Sequence, residues 1–115
     1  MHKRLDVWKL SVEFVSDIYA LTATFPSEEK FGLSNQLRRA AVSVPSNIAE
    51  GAARGGNKEF IQFLYIALGS CAEVETQLYI AGNFSFGDVD ATLQKNDRIK
   101  RMLQGLIKKR KDDVR

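Results

Sequence analysis

Seven apolar residues, Phe60, Leu64, Ala67, Cys71, Val74, Leu78 and Ala81, follow one another in steps of four and three. This run constrains the fold more than any other feature of the chain. A strand places every second side chain on one face, whereas a helix returns to the same face every three or four residues. The run therefore predicts a long helix with a single heptad seam. A seam of three heptads must be covered by neighbours, and the short segments on either side fit an antiparallel bundle.

Three further segments show the same periodicity, and no strand-like alternation extends beyond a few residues. The first helix is predicted from about Leu5 to Thr24. It carries two apolar stripes, one of Leu5, Trp8, Val12, Val15 and Tyr19 and one of Leu10, Phe14, Ile18 and Leu21. Together they make a face wider than one partner helix needs. Phe25-Pro26 ends this helix, because the residue before proline is pushed out of the α region. The second helix is predicted to begin with Ser34 as N-cap and to run to about Ala53, with Leu37, Ala41, Val44 and Ile48 inside. Pro45 lies within it and predicts a kink but not an end, since the apolar spacing stays in phase across it. Gly55-Gly56 breaks the chain and Asn57 is the expected cap of the third helix, with Gly82 as the left-handed residue after its end. Asn83 to Gly87 forms a turn, and Asp88 caps a fourth helix whose inner face is Val89, Leu93, Asn96, Ile99, Leu103 and Leu106. The expectation is one all-α domain over residues 1–115, an up-down-up-down four-helix bundle ending in a basic tail at about 108–115.

Composition excludes several classes of function. With 44% hydrophobic and 27% charged residues and only 2 prolines, the chain falls in the globular range and outside the disordered one. Its most apolar stretch, Phe60 to Ile80, is interrupted by Gln62, Glu73, Glu75 and Gln77, so no membrane span is expected. A lone cysteine and the lack of a basic segment followed by an apolar one at the start lead to a cytoplasmic expectation. One histidine and one cysteine do not supply a metal cage or a Ser-His-Asp or Cys-His arrangement. The glycines at 51, 55 and 56 lack the lysine and the preceding strand of a phosphate loop. No metal, cofactor or small-molecule substrate is expected, and the chain is read as a non-enzyme.

Charge and polar patterning mark two sets of candidate residues. The net charge is +3, but Lys100, Arg101, Lys108, Lys109, Arg110, Lys111 and Arg115 face only Asp112 and Asp113 in the last sixteen residues. Such a basic end fits contact with the phosphates of RNA or DNA, and it also fits a solvated helix terminus that complements the helix dipole. The second set lies along the second and third helices: Arg38, Arg39, Ser43, Asn47, Glu50, Glu73 and Gln77. A carboxylate of Glu50 or Glu73 against Arg38 or Arg39 is expected to form a buried pair that fixes register or joins subunits.

The run from Phe31 to Gly51, containing Arg38-Arg-Ala-Ala-Val-Ser-Val-Pro-Ser-Asn-Ile-Ala-Glu-Gly51, resembles the bacterial four-helix bundle proteins, also called 23S rRNA intervening-sequence proteins. Phe60 to Ser70, Glu73 to Ala81 and Arg101 to Ile107 carry the resemblance onward, and the turn Asn83-Phe-Ser-Phe-Gly87 departs from the Leu-Gly-Tyr more common there. The resemblance implies an antiparallel four-helix bundle assembled as a homopentameric ring. By analogy with a more distant basic, pentameric bundle, it also implies a non-enzymatic scaffold associated with RNA or DNA. The competing expectation is a protein-interaction module with no nucleic-acid partner.

Overall fold

The computed structural model describes residues 2–114. Four helices follow one another, α1 (Asp6–Thr22), α2 (Leu33–Ala53), α3 (Asn57–Asn83) and α4 (Asp90–Val114), with single 3-10 turns at His2–Arg4 and Ser27–Glu29. Cross-helix hydrogen bonds give the directions. Ser43 meets Ser70 while Gln36 meets Gln77, so α2 and α3 run antiparallel. Asn57 meets Arg110 while Cys71 meets Asn96, so α3 and α4 do too. Each helix packs against the next and α4 returns to α1, which leaves α1 and α3 at opposite corners of a square. The result is a rod of 48 × 20 × 19 Å.

The heptad seam of α3 lies in the core along its whole length, with Leu64, Ala67, Cys71, Val74, Leu78 and Ala81 fully enclosed. Opposite it stand Leu37, Ala41, Val44 and Ile48 of α2 and Ile99 and Leu103 of α4. On α1 the two stripes divide. Phe14 and Ile18 are fully buried, whereas Val12 and Tyr19 remain exposed and Trp8 and Val15 half-buried. In the last turns of α4 Ile107 goes into the core and Leu106 stays at its margin.

α2 runs through Pro45 without ending. Several helix ends differ from the sequence expectation. Gly32, not Ser34, precedes α2, and Ser34 is buried within the first turn. Gly56, which has no side chain to cap with, precedes α3, while Asn57 is already helical and its side chain accepts from Arg110. Gly55 takes a φ of +82° and reverses the chain between α2 and α3 at little steric cost. At the far end of α3 the helix continues through Gly82, and Ser85 is the residue with positive φ, at 58°. Asp88 does serve the start of α4, its Oδ1 accepting the N–H of Asp90 at 3.1 Å.

Two polar side chains of α4 mark its seams with α3 and α1. Asn96 of α4 is fully buried, donates Nδ2 to the carbonyl of Cys71 at 3.0 Å, and leaves its own Oδ1 without a partner. The α1–α4 seam is held instead by Lys95, whose Nζ lies 2.6 Å from Asp17 and 3.1 Å from Glu13. Partial desolvation pulls down the pKa of Lys95, but the two carboxylates outweigh it and hold the amine above its ordinary value.

Candidate nucleic-acid interface

Antiparallel topology brings the start of α1, the end of α2, the start of α3 and the end of α4 to one end of the rod. There Leu5, Gly51, Ala52, Gly55, Gly56, Asn57, Phe60 and Arg110 line a cavity of about 300 Å³. The chain segments that meet at this end carry Lys3, Arg4, Arg54, Lys58, Lys108, Lys109, Arg110 and Lys111, against Asp6, Glu50, Glu59, Asp112 and Asp113; of these Arg110 lines the cavity, while Lys108, Lys111 and Asp112 line a separate hollow with Tyr65. These eight cations and five carboxylates account for the whole net charge of +3, so the rest of the chain is neutral. Arg115, counted with the basic tail, lies outside the described residues.

The side chains at this end are not equivalent. Lys108 and Lys109 project into solvent. Lys111 lies over the ring of Tyr65 at 5.2 Å and Arg54 over that of Phe63 at 5.2 Å, placements that hold the charge near the surface without neutralising it. Arg54 also reaches Glu50 at 3.0 Å, one helical turn away. Arg110 is turned inward: its guanidinium lies 5.1 Å from the Phe60 ring, it donates to Asn57 Oδ1 at 3.3 Å, and its Nε is buried without an acceptor. Lys100 and Arg101 stand farther along α4 and are already engaged, Lys100 with Glu75 at 3.5 Å and Arg101 with Asp97 at 3.2 Å. The tail thus divides into three lysines outside any ion pair at 108, 109 and 111, an inward Arg110, and a paired group at 100–101. The sequence reading does not assign Lys3, Arg4, Arg54 or Lys58 to the basic end, although an up-down-up-down order places the first turn of α1 beside the last of α4.

The polar set on α2 and α3 forms two hydrogen-bonded groups, one of Ser43, Asn47 and Ser70 and one of Gln36, Glu73 and Gln77. The hydroxyls of Ser43 and Ser70 share one of 2.8 Å, and Asn47 Nδ2 donates to the Ser43 carbonyl at 2.8 Å and to its Oγ at 2.9 Å. Gln77 Nε2 is directed at Glu73 Oε2 at 3.3 Å and Gln36 Oε1 at 3.4 Å, while Gln77 Oε1 is buried without a partner. The expected ion pair is absent among the described residues: Glu50 reaches Arg54, and neither Glu50 nor Glu73 meets Arg38 or Arg39. Glu50, Glu73 and Arg39 are not enclosed by the bundle, so water solvates them. Arg38 faces α1, donating Nε to Thr22 Oγ1 at 2.8 Å and lying over Tyr19 at 4.5 Å.

Among the described residues no group of three or more His, Cys, Asp or Glu is placed to hold a metal ion, and no helix is long and apolar enough to cross a membrane.

Comparison with known proteins adds to this geometry. The family model of the 23S rRNA-intervening sequence proteins matches residues 3–105, a span that reaches into all four helices. The chain belongs to that family. Among solved structures it is similar to a protein of unknown function from the S23 ribosomal protein family of Bacteroides thetaiotaomicron VPI-5482. The two are 27% identical, with a TM-score of 0.83 over 94% of this chain and 99% of the other. No curated protein matches the chain. The family match stops short of Lys108, so Lys108, Lys109 and Lys111 lie beyond the matched region.

Proposed function

We propose that this protein is a cytoplasmic, non-enzymatic, self-associating bundle that binds RNA or DNA through phosphate contacts at its basic end. The observation that carries this reading is the convergence of Lys3, Arg4, Lys58, Lys108, Lys109 and Lys111 on one end of the rod, with none of them in an ion pair among the described residues. Phosphates reward clustered, unneutralised cations, and binding of this kind positions a nucleic acid without reading its sequence. Phe60 at this end is buried beneath Arg110 and offers no stacking platform of the kind single-strand readers use. Self-association is supported by the exposed Val12 and Tyr19 of the α1 stripe, and five copies is the number the family resemblance implies. Repetition of a weak basic end around a ring raises its affinity for one polymer.

Fluorescence anisotropy with mixed-sequence RNA and DNA duplexes between about 50 and 200 mM salt tests the reading. Log affinity is expected to fall linearly with log salt. Replacing Lys108, Lys109 and Lys111 by glutamine while keeping the inward Arg110 is expected to flatten the slope. No binding at the low-salt end, or an unchanged slope in the triple variant, would leave the protein-interaction module as the better reading. The exposed Tyr65, Ile66, Tyr79 and Ile80 on α3 favour that alternative.

A further inference from the structure

α3 is apolar on its outer side as well as on its seam. Between Phe60 and Asn83 its exposed positions carry one charge, Glu73, while Ile66 is 51% and Tyr79 59% exposed. Tyr65 and Ile80 complete two bulky pairs, with the small Gly69 and Ala72 between them; nothing lies within 4 Å of where a Gly69 Cβ would stand. The exposed side of α4, by contrast, is mostly charged. A bare apolar ridge of this kind marks a contact surface.

A second bare surface lies across the molecule. Val12 and Tyr19 of α1 and Val42 of α2 are exposed, with the half-buried Trp8 and Val15 continuing the α1 stripe. Tyr19 and Val42, with Asn35, Arg38, Arg39 and Ser43, line a hollow of about 370 Å³ that holds two guanidinium groups and no carboxylate. α1 and α3 occupy opposite corners, so the ridge and the groove cannot cover each other within one chain.

We infer that the α3 ridge of one copy seats in the α1–α2 groove of the next, with Glu73 of the ridge facing the Arg38 and Arg39 side of the groove. Shape and charge complement each other in this arrangement, and every copy covers both of its apolar surfaces. A contact between two different patches is heterologous and closes as a ring when its rotation allows. The simplest alternative is a two-fold pairing of α3 on α3. Glu73 lies midway between Ile66 and Ile80, so an antiparallel pair centred on the stripe would bring two carboxylates together and leave the groove bare. The assignment rests on the proposed self-association and adds to it which surfaces meet.

Mixing of variants separates the possibilities, with light scattering as the readout. Ile66→Glu spoils the ridge and Val42→Glu spoils the groove, both at exposed positions; circular dichroism checks that each variant is folded, and Tyr79→Glu and Val12→Glu serve as second members of each pair. Wild type is expected to assemble and each variant alone to have the mass of one chain. An equimolar mixture is expected to double that mass, because the intact groove of one variant accepts the intact ridge of the other. If wild type assembles while the mixture stays at one chain, the surface assignment is overturned and self-association stands. If Val42→Glu and Val12→Glu assemble like wild type while Ile66→Glu does not, the two-fold α3 pair replaces it. A wild-type mass of one chain at micromolar concentration overturns both the assignment and the self-association beneath it.

Discussion

Cys71 illustrates what a single position in a seam does to chemistry. The four-three spacing alone assigns it to the core, where a cysteine behaves as a small hydrophobe, and the structure encloses it fully. Burial disfavours the thiolate and pushes the pKa up to about 12; the Lys100 charge opposes this weakly and Glu75 adds to it. The unfolded chain gives up this proton near pH 9 while the folded chain keeps it. The stability gained from burying a neutral thiol is therefore complete below pH 9 and falls away between 9 and 12. Urea denaturation at pH 8 and pH 10 should show wild type losing about 1.4 kcal/mol more than Cys71→Ala over that interval. Equal losses would mean that the thiol is accessible in the folded state. Asn96, also read from sequence as an inner-face residue, teaches the opposite lesson. Its position follows from periodicity, but the orphaned Oδ1 depends on how far α4 slides along α3, which no local pattern encodes.

At the scale of elements, the four helices and their order were legible because each is long and strongly periodic; their ends were not. Ser34, Asn57 and Gly82 are good terminal residues by type, but each has been drawn into a helix where tertiary packing outweighs a cap contributing about 1 kcal/mol. Asn57 instead holds Arg110 across the bundle. Register between α2 and α3 was expected to come from a buried ion pair and comes instead from close approach. A Cβ placed on Gly51 would lie 2.6 Å from Cβ of Phe63 and 3.0 Å from Cδ1 of Phe60. Gly51→Ala is therefore expected to force the helices apart at a cost of about 1 to 3 kcal/mol in chemical denaturation. Glu50→Ala and Glu73→Ala, at solvated sites, should each cost less than about 0.5 kcal/mol. A loss of several kcal/mol for either glutamate would revive the buried pair; a neutral Gly51→Ala would show that α2 and α3 can part freely.

For the molecule as a whole, charge follows topology more than sequence distance. Read along the chain, the basic residues concentrate in the last sixteen positions, and Lys100 and Arg101 belong to the same cluster as Lys108 to Lys111. In the folded rod that cluster splits, and its free part joins Lys3, Arg4 and Lys58, which stand far from it in sequence. Antiparallel pairing of α1 with α4 and of α3 with α4 causes the exchange: it places first turns beside last turns, while intrahelical and α3 partners neutralise the middle of α4. This makes opposite forecasts for two sets of substitutions of similar size. Lys3, Arg4 and Lys58 changed together to glutamine should reduce the salt slope of duplex binding by about 0.9 for each phosphate left unneutralised, a total of up to about 3. Lys100 and Arg101 changed to glutamine should leave the slope within error, because their charge is spent on Glu75 and Asp97. A linear tail acting without the fold predicts the reverse order. If the Lys100 and Arg101 variant shows the larger fall in slope, nucleic acid lies along the flank of α4, and the gathered end of the rod is only a solvated terminus.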